Sequence, residues 1–163
     1  MGAGTRSYPV IWDTWFPKRK RKGMYIHSPP VRLYNCIAFV AGDESRLWWP
    51  NDPPNAYWPF DNLPDIKVKR LVEAFESLGY KRCWTGWRLK KYEKIALYQD
   101  ENGDMAHAAR QGDTGEWESK LGWDHKECFD VRHASAKCVC GPTASGGYGK
   151  LYCYMRRRRK QPN

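Results

Sequence analysis

The stretch that decides the fold runs from Lys94 to Leu121. It begins Lys94-Ile95-Ala96-Leu97-Tyr98-Gln99, turns at Asn102-Gly103 and continues Met105-Ala106-His107-Ala108-Ala109-Arg110-Gln111. It turns again between Gly112 and Gly115 and ends Glu116-Trp117-Glu118-Ser119-Lys120-Leu121. Asn-Gly is a strong hairpin signal because both residues tolerate the positive φ of a tight turn. Three short runs joined by glycine-containing turns therefore predict an antiparallel meander. A further glycine turn at Gly146-Gly147 leads to a last strand, Tyr148 to Tyr154.

Outward from the meander, the segment Asp65 to Leu78 reads as a helix. Val68, Leu71, Val72, Phe75 and Leu78 recur at helical spacing, Pro64 precedes them and Gly79 follows. A second, shorter helix is predicted after Asn35, a good N-cap, and it ends at Gly42, a good C-cap. Between the two helices, Trp48 to Pro64 is rich in Trp, Pro and Asn and reads as ordered loop. The outline is α+β, with N-terminal helices packed on an antiparallel β-meander. Residues 1–30 read as an aromatic and basic arm, 31–155 as one domain, and 156–163 as a basic tail.

Composition narrows the function classes. The chain of 163 residues carries 28 Lys+Arg against 18 Asp+Glu, a formal net charge of +10. The surplus sits in two runs, Lys18, Arg19, Lys20, Arg21, Lys22 and Arg156, Arg157, Arg158, Arg159, Lys160. Subtracting those ten from 28 leaves 18 basic residues against 18 acidic ones, so the body is neutral. A uniformly basic coat is excluded, but an anionic partner such as nucleic acid at the two runs is not. Hydrophobic content of 41% and aromatic content of 15% exclude a disordered chain. The longest uncharged apolar stretch, Ile37 to Gly42, is far short of the ~20 residues a membrane span needs. The N-terminus shows no signal-peptide pattern, so a cytoplasmic site, in the producing cell or a host cell, is expected.

Four groups of residues could carry chemistry. Cys36 falls in the first turn of the predicted short helix, where the unsatisfied N–H groups and the helix dipole favour a thiolate. The alternative for Cys36 is a buried structural cysteine beside Ile37 and Phe39. His107 lies in a strand of alanines, which leave room around one imidazole; its alternative is a satisfied core histidine. If the next hairpin has an odd-length loop, Ser119 pairs across with His107, and Asp124 is a second residue that could orient the ring.

Towards the C-terminus, Cys128, His133, Cys138 and Cys140 have the residue types of a zinc site. The Cys-x-Cys spacing is not the usual knuckle, and reduced cytosolic thiols are the competing reading. The basic runs, interleaved with Trp15, Tyr25 and Tyr154, could hold phosphates and stack bases, or serve as solvated tails. The sequence contains no glycine-rich phosphate loop followed by a helix, and no cofactor is expected.

Several blocks resemble an uncharacterised bacterial domain family. They are Asn35-Cys36, Gly42-Asp43, Arg46-Leu47-Trp48-Trp49-Pro50, Leu78-Gly79-Tyr80, Lys94-Ile95-Ala96-Leu97-Tyr98, His107-Ala108-Ala109-Arg110-Gln111 and Ser119-Lys120-Leu121-Gly122. They span about residues 32 to 154 in the right order. The order of elements is similar to that of papain-like cysteine hydrolases of the NlpC/P60 and transglutaminase-like kind. That resemblance implies Cys36 as nucleophile, His107 as general base and acid, and Ser119 or Asp124 as orienter, acting on a peptide or other acyl substrate. Two function classes follow: a cysteine hydrolase or acyltransferase built on Cys36 and His107, or a non-enzymatic structural or nucleic-acid-binding protein that uses its basic runs.

Overall fold

The computed structural model of the chain describes residues 25–26, 33–50, 56–60, 65–121, 129–145 and 147–161. One seven-stranded antiparallel sheet dominates it. The strands are β1 (Tyr25–Ile26), β2 (Lys81–Cys83), β3 (Tyr92–Gln99), β4 (Met105–Gln111), β5 (Trp117–Leu121), β6 (Phe129–His133) and β7 (Lys150–Arg158). Their order across the sheet is β1-β6-β5-β4-β3-β7-β2. The helices are α1 (Cys36–Ala41) and α2 (Val68–Ser77).

The predicted papain-like α+β fold, with a helical half packed on a meander, is therefore corrected. Two short helices, of 6 and 10 residues, lie on a sheet to which both ends of the described chain contribute strands. The β3–β4–β5 meander is where the sequence placed it. What the helix-then-meander outline omitted are β1, β2 and β6, and the extension of β7 into the arginine run. None of these has a long alternating pattern, and each is specified by pairing with a neighbour rather than by local propensity.

Element boundaries follow from particular contacts. The Asn35 side chain accepts the Ala38 amide at 3.1 Å, and Gly42, at φ 79°, returns its amide to Ala38 and Phe39, so α1 is held at both ends. The α2 segment starts three residues later than its spacing predicts. Before it, Ile66 and Lys67 are extended and bound to the β3–β4 turn: Met105 donates to Ile66 O at 2.7 Å and Val68 to Gly103 O at 3.0 Å. β7 starts two residues late because Gly149, at φ 69°, lies against the backbone of Gln99 and Asp100. It runs to Arg158 because β3 begins at Tyr92, which pairs with Arg158.

The pleat divides the core in two. Ile95, Leu97, Met105, Ala108 and Met155 face α1 and α2, packing with Ile37, Phe39, Leu71 and Phe75. Ala96, Tyr98, Ala109, Trp117, Leu121 and Val131 face the other way and are covered by the loop segment that holds Ala136, Val139 and Tyr148. At ~25 cal/mol per Å² of apolar area, burial of these aliphatic and aromatic chains is the main term holding both layers to the sheet.

Candidate functional site

The sheet separates Cys36 from His107. Cys36 belongs to the helix-side core with Ala108, whereas His107, the preceding residue on β4, points to the opposite face among Tyr98 and Tyr148. Burial pushes the Cys36 thiol up to about 11, and backbone hydrogen bonds at Ala108 and Ile37 only partly offset it. The favourable end of a six-residue helix does not outweigh that desolvation. The bland reading of Cys36, a packed core thiol, is the one that its surroundings support.

His107 and Ser119 do come together. Sequence pairing placed Ser119 directly opposite His107, but the register sets it opposite Ala109. A shift of two residues keeps the face, so the contact survives as a diagonal one: His107 Nε2 lies 3.0 Å from Ser119 Oγ. His133 completes the group, with Nε2 2.8 Å from Ser119 Oγ and Nδ1 2.8 Å from the Ser135 carbonyl. The Ser135 carbonyl only accepts, so His133 Nδ1 donates and Nε2 accepts the Ser119 hydroxyl proton. Ser119 Oγ is then left to accept from His107 Nε2–H.

All three side chains are fully buried. His107 Nδ1 has no hydrogen-bond partner among the described residues, and the room left by the alanines is filled by the Tyr148 ring, stacked 4.0 Å away. Burial holds His107 well below the usual histidine range, helped by neighbouring His133, and pulls His133 down to about 4. Both rings stay neutral at pH 7. The group is a buried polar tie between β4, β5 and β6.

Of the remaining sequence candidates, Asp124, Cys128 and Lys18, Arg19, Lys20, Arg21 and Lys22 lie outside the described residues. His133 is taken by the tie. Among the described residues no three His, Cys, Asp or Glu side chains are grouped as metal ligands. Also among them, no helix is long and apolar enough to cross a membrane.

The second basic run lies within and just beyond β7, and its residues diverge. Arg157 is tied into the helix-side layer, with Nε 2.8 Å from Glu93 Oε2 and Nη1 2.9 Å from the Leu78 carbonyl. Arg159 meets Asp113 at 3.3 Å. Arg156 and Arg158 alternate to the loop-covered face, where Arg156 lies over the Tyr92 ring at 4.7 Å. Both are exposed, and among the described residues no carboxylate pairs with either.

Those two arginines adjoin a surface that the sequence left undefined. β2 pairs Lys81 with Arg156 and Cys83 with Tyr154, then leaves the sheet. The chain that follows, Trp84 to Lys91, crosses the loop-covered face. Lys94, buried in β3, donates to the Thr85 carbonyl at 2.7 Å, and Gln111 Nε2 donates to the carbonyls of Gly86 at 2.7 Å and Gly115 at 3.3 Å. Gly86 sits so close to the rings of Tyr154 and Trp117 that a Cβ there would come within 2.8 and 3.1 Å of them. The loop is fixed while its tryptophans project: Trp84 is 98% exposed and Trp87 79%. A hollow of about 500 Å³ opens beside Trp87 over Trp117 and Tyr154, and another of about 470 Å³ lies where β2 leaves the edge of β7, beside Arg82, Trp84 and Tyr152.

The family match covers most of this arrangement and stops at Arg156, short of Arg158 and Arg159. A domain of unknown function, DUF7689, matches residues 25–156. The chain belongs to that family. No curated protein matches it, and neither does any solved structure. The blocks that carry the resemblance have structural work in this chain. Asn35 caps α1 and also donates to the Trp48 carbonyl at 2.8 Å, and Asp43 accepts from Trp48 Nε1 at 2.9 Å and from Arg46 at 2.7 Å. Arg110 lies over the Phe39 ring at 3.9 Å, and Lys120 over the Tyr34 ring at 4.1 Å.

Proposed function

We propose that the chain is a non-catalytic module that binds a nucleic-acid strand along the β2–β7 end of its sheet. One observation carries this reading. Trp84 and Trp87 are almost fully exposed within an eleven-residue stretch, Lys81 to Lys91, that holds five cations and no acid. Large exposed aromatics on an otherwise well-packed domain mark a surface made for a partner. Fixed cations beside aromatic faces suit phosphates beside bases.

Arg156 and Arg158 extend the band across β7, and because no described carboxylate pairs with them their charge is available to a polyanion. Lys81, paired with Arg156, contributes from β2, whereas Arg82, paired with Met155, turns to the helix-covered face with its guanidinium 3.0 Å from the Tyr152 hydroxyl. The cysteine hydrolase reading gains nothing from the geometry, since the Cys36 thiol is buried and the sheet stands between it and the His107 and His133 imidazoles.

Fluorescence anisotropy with a labelled single-stranded 12-mer tests the proposal. Four phosphate contacts give a log–log salt slope of about −2.8 for a single strand, so affinity should fall about fifty-fold between 50 and 200 mM salt. Replacing Lys81, Arg156 and Arg158 together by Ala should flatten the slope by about 2. Absent or salt-insensitive binding would count against the proposal.

A further inference from the structure

The cation band accounts for affinity to phosphates and leaves the hollow beside Trp87 unexplained. Its lining includes Trp87, Arg88, Gln111, Ser135 and the half-buried Tyr154, with Trp117 buried beneath Gly86 at its base. A volume of about 500 Å³ falls in the range of small-ligand sites. Its shape is fixed from three sides. Gln111 ties the Gly86 loop to the Gly115 turn, Gly86 rests on the Tyr154 and Trp117 rings, and the buried His133 holds the Ser135 carbonyl at 2.8 Å.

The Gln111 amide has a settled orientation, because Nε2 faces two carbonyls and only a donor fits there. Its Oε1 takes no partner among the described residues and so is an acceptor at the rim of an aromatic hollow. We propose, on the strength of the strand-binding reading above, that this hollow takes one unpaired nucleobase. The base stacks on the exposed Trp87 ring, gives an N–H to Gln111 Oε1, and leaves its phosphate to Arg88 and the neighbouring cations. Every base has a π-face and an N–H on its pairing edge, so the site accepts any base but requires it to be unpaired. The occupant is therefore a single strand.

The test compares three probes of equal length on the full 163-residue chain: a dT 12-mer, an abasic 12-mer and a duplex. The dT strand should bind at least about five-fold tighter than the abasic strand, the low end of one base–aromatic stack. Trp87→Ala, at an exposed position, should bring dT binding down to that of the abasic strand. Gly86→Ala, which forces the loop off its rings, should also shrink the dT preference. Equal binding of dT and abasic strands overturns the base site and leaves the phosphate-binding reading standing, and so does a duplex bound as tightly as the dT strand. Absence of binding to all three overturns both.

Discussion

The two faces of the sheet use the same strands for opposite ends. On the helix-covered face, α1 and α2 seal Cys36, Phe39, Leu71 and Phe75 against β3, β4 and β7, and Lys120, nearly fully buried there, lies over the Tyr34 ring and 3.5 Å from Asp130. On the loop-covered face the core is smaller, is crossed by a polar tie, and leaves two tryptophans in solvent. Helices cover a sheet evenly, because an amphipathic stripe spreads its apolar side chains over several strands. A loop covers it only where its side chains and carbonyls happen to be anchored. It leaves hollows between its anchors, and the hollows are where a ligand can enter. The difference between the faces is therefore one of stability against access.

The largest effect expected from this comparison falls on the helix-covered face. Phe75→Ala should cost about 3–5 kcal/mol of stability in denaturant unfolding, as for a fully buried aromatic. Nucleic-acid binding by the fraction that remains folded should be unchanged. Loss of binding in step with a normal midpoint would break the division between the faces.

The next effect is one of pH. His107 and His133 are lowered in the folded chain and return to about 6.5 on unfolding, so the unfolded state binds more protons below that pH. Stability should be full above about 6.5 and fall by about 1.4 kcal/mol per pH unit per histidine as the pH drops. For His133 the loss is complete near its folded value of about 4. Unfolding curves at pH 7, 6, 5 and 4 check this, and His133→Gln should shrink the slope. A flat profile would mean that the tie is not buried as described.

Ser119→Ala should cost about 2 kcal/mol, since it leaves the buried Nε2 atoms of both histidines without a partner. If it proves neutral, the tie contributes nothing to the loop-covered face. The smallest effect belongs to the surface: Trp87→Ala should shift stability by less than about 0.5 kcal/mol, so any binding it removes comes from lost contact and not from unfolding.

What the sequence disclosed follows the same division. The β3–β4–β5 meander was legible because its turns carry their own chemistry, Asn102-Gly103 and Gly112 to Gly115. Both helices were legible from Asn35, Gly42 and the Val68 to Phe75 spacing. His107 and Ser119 were paired correctly by face, because pleat parity survives a slip of two residues. The position of Cys36 relative to His107 was not legible. Which face of a sheet a helix covers is decided by the connection between them, and chain order is silent on it.

His133 was read as a metal candidate because no local pattern marks Phe129–His133 as a strand beside β5. The tryptophan loop stayed undefined for a plain reason. Cys83-Trp84-Thr85-Gly86-Trp87-Arg88 has neither a helical nor an alternating period, and exposed aromatics look like buried ones until the surface is known. Its one signal was compositional, two tryptophans among five cations with no acid.

Hydrogen-exchange protection on addition of a dT 12-mer tests the central claim most directly. The account predicts slowed exchange over residues 81–91, 111–117 and 152–160, with α1 and α2 unchanged. Protection centred on residues 36–41 and 68–77, with none in the tryptophan loop, would contradict it.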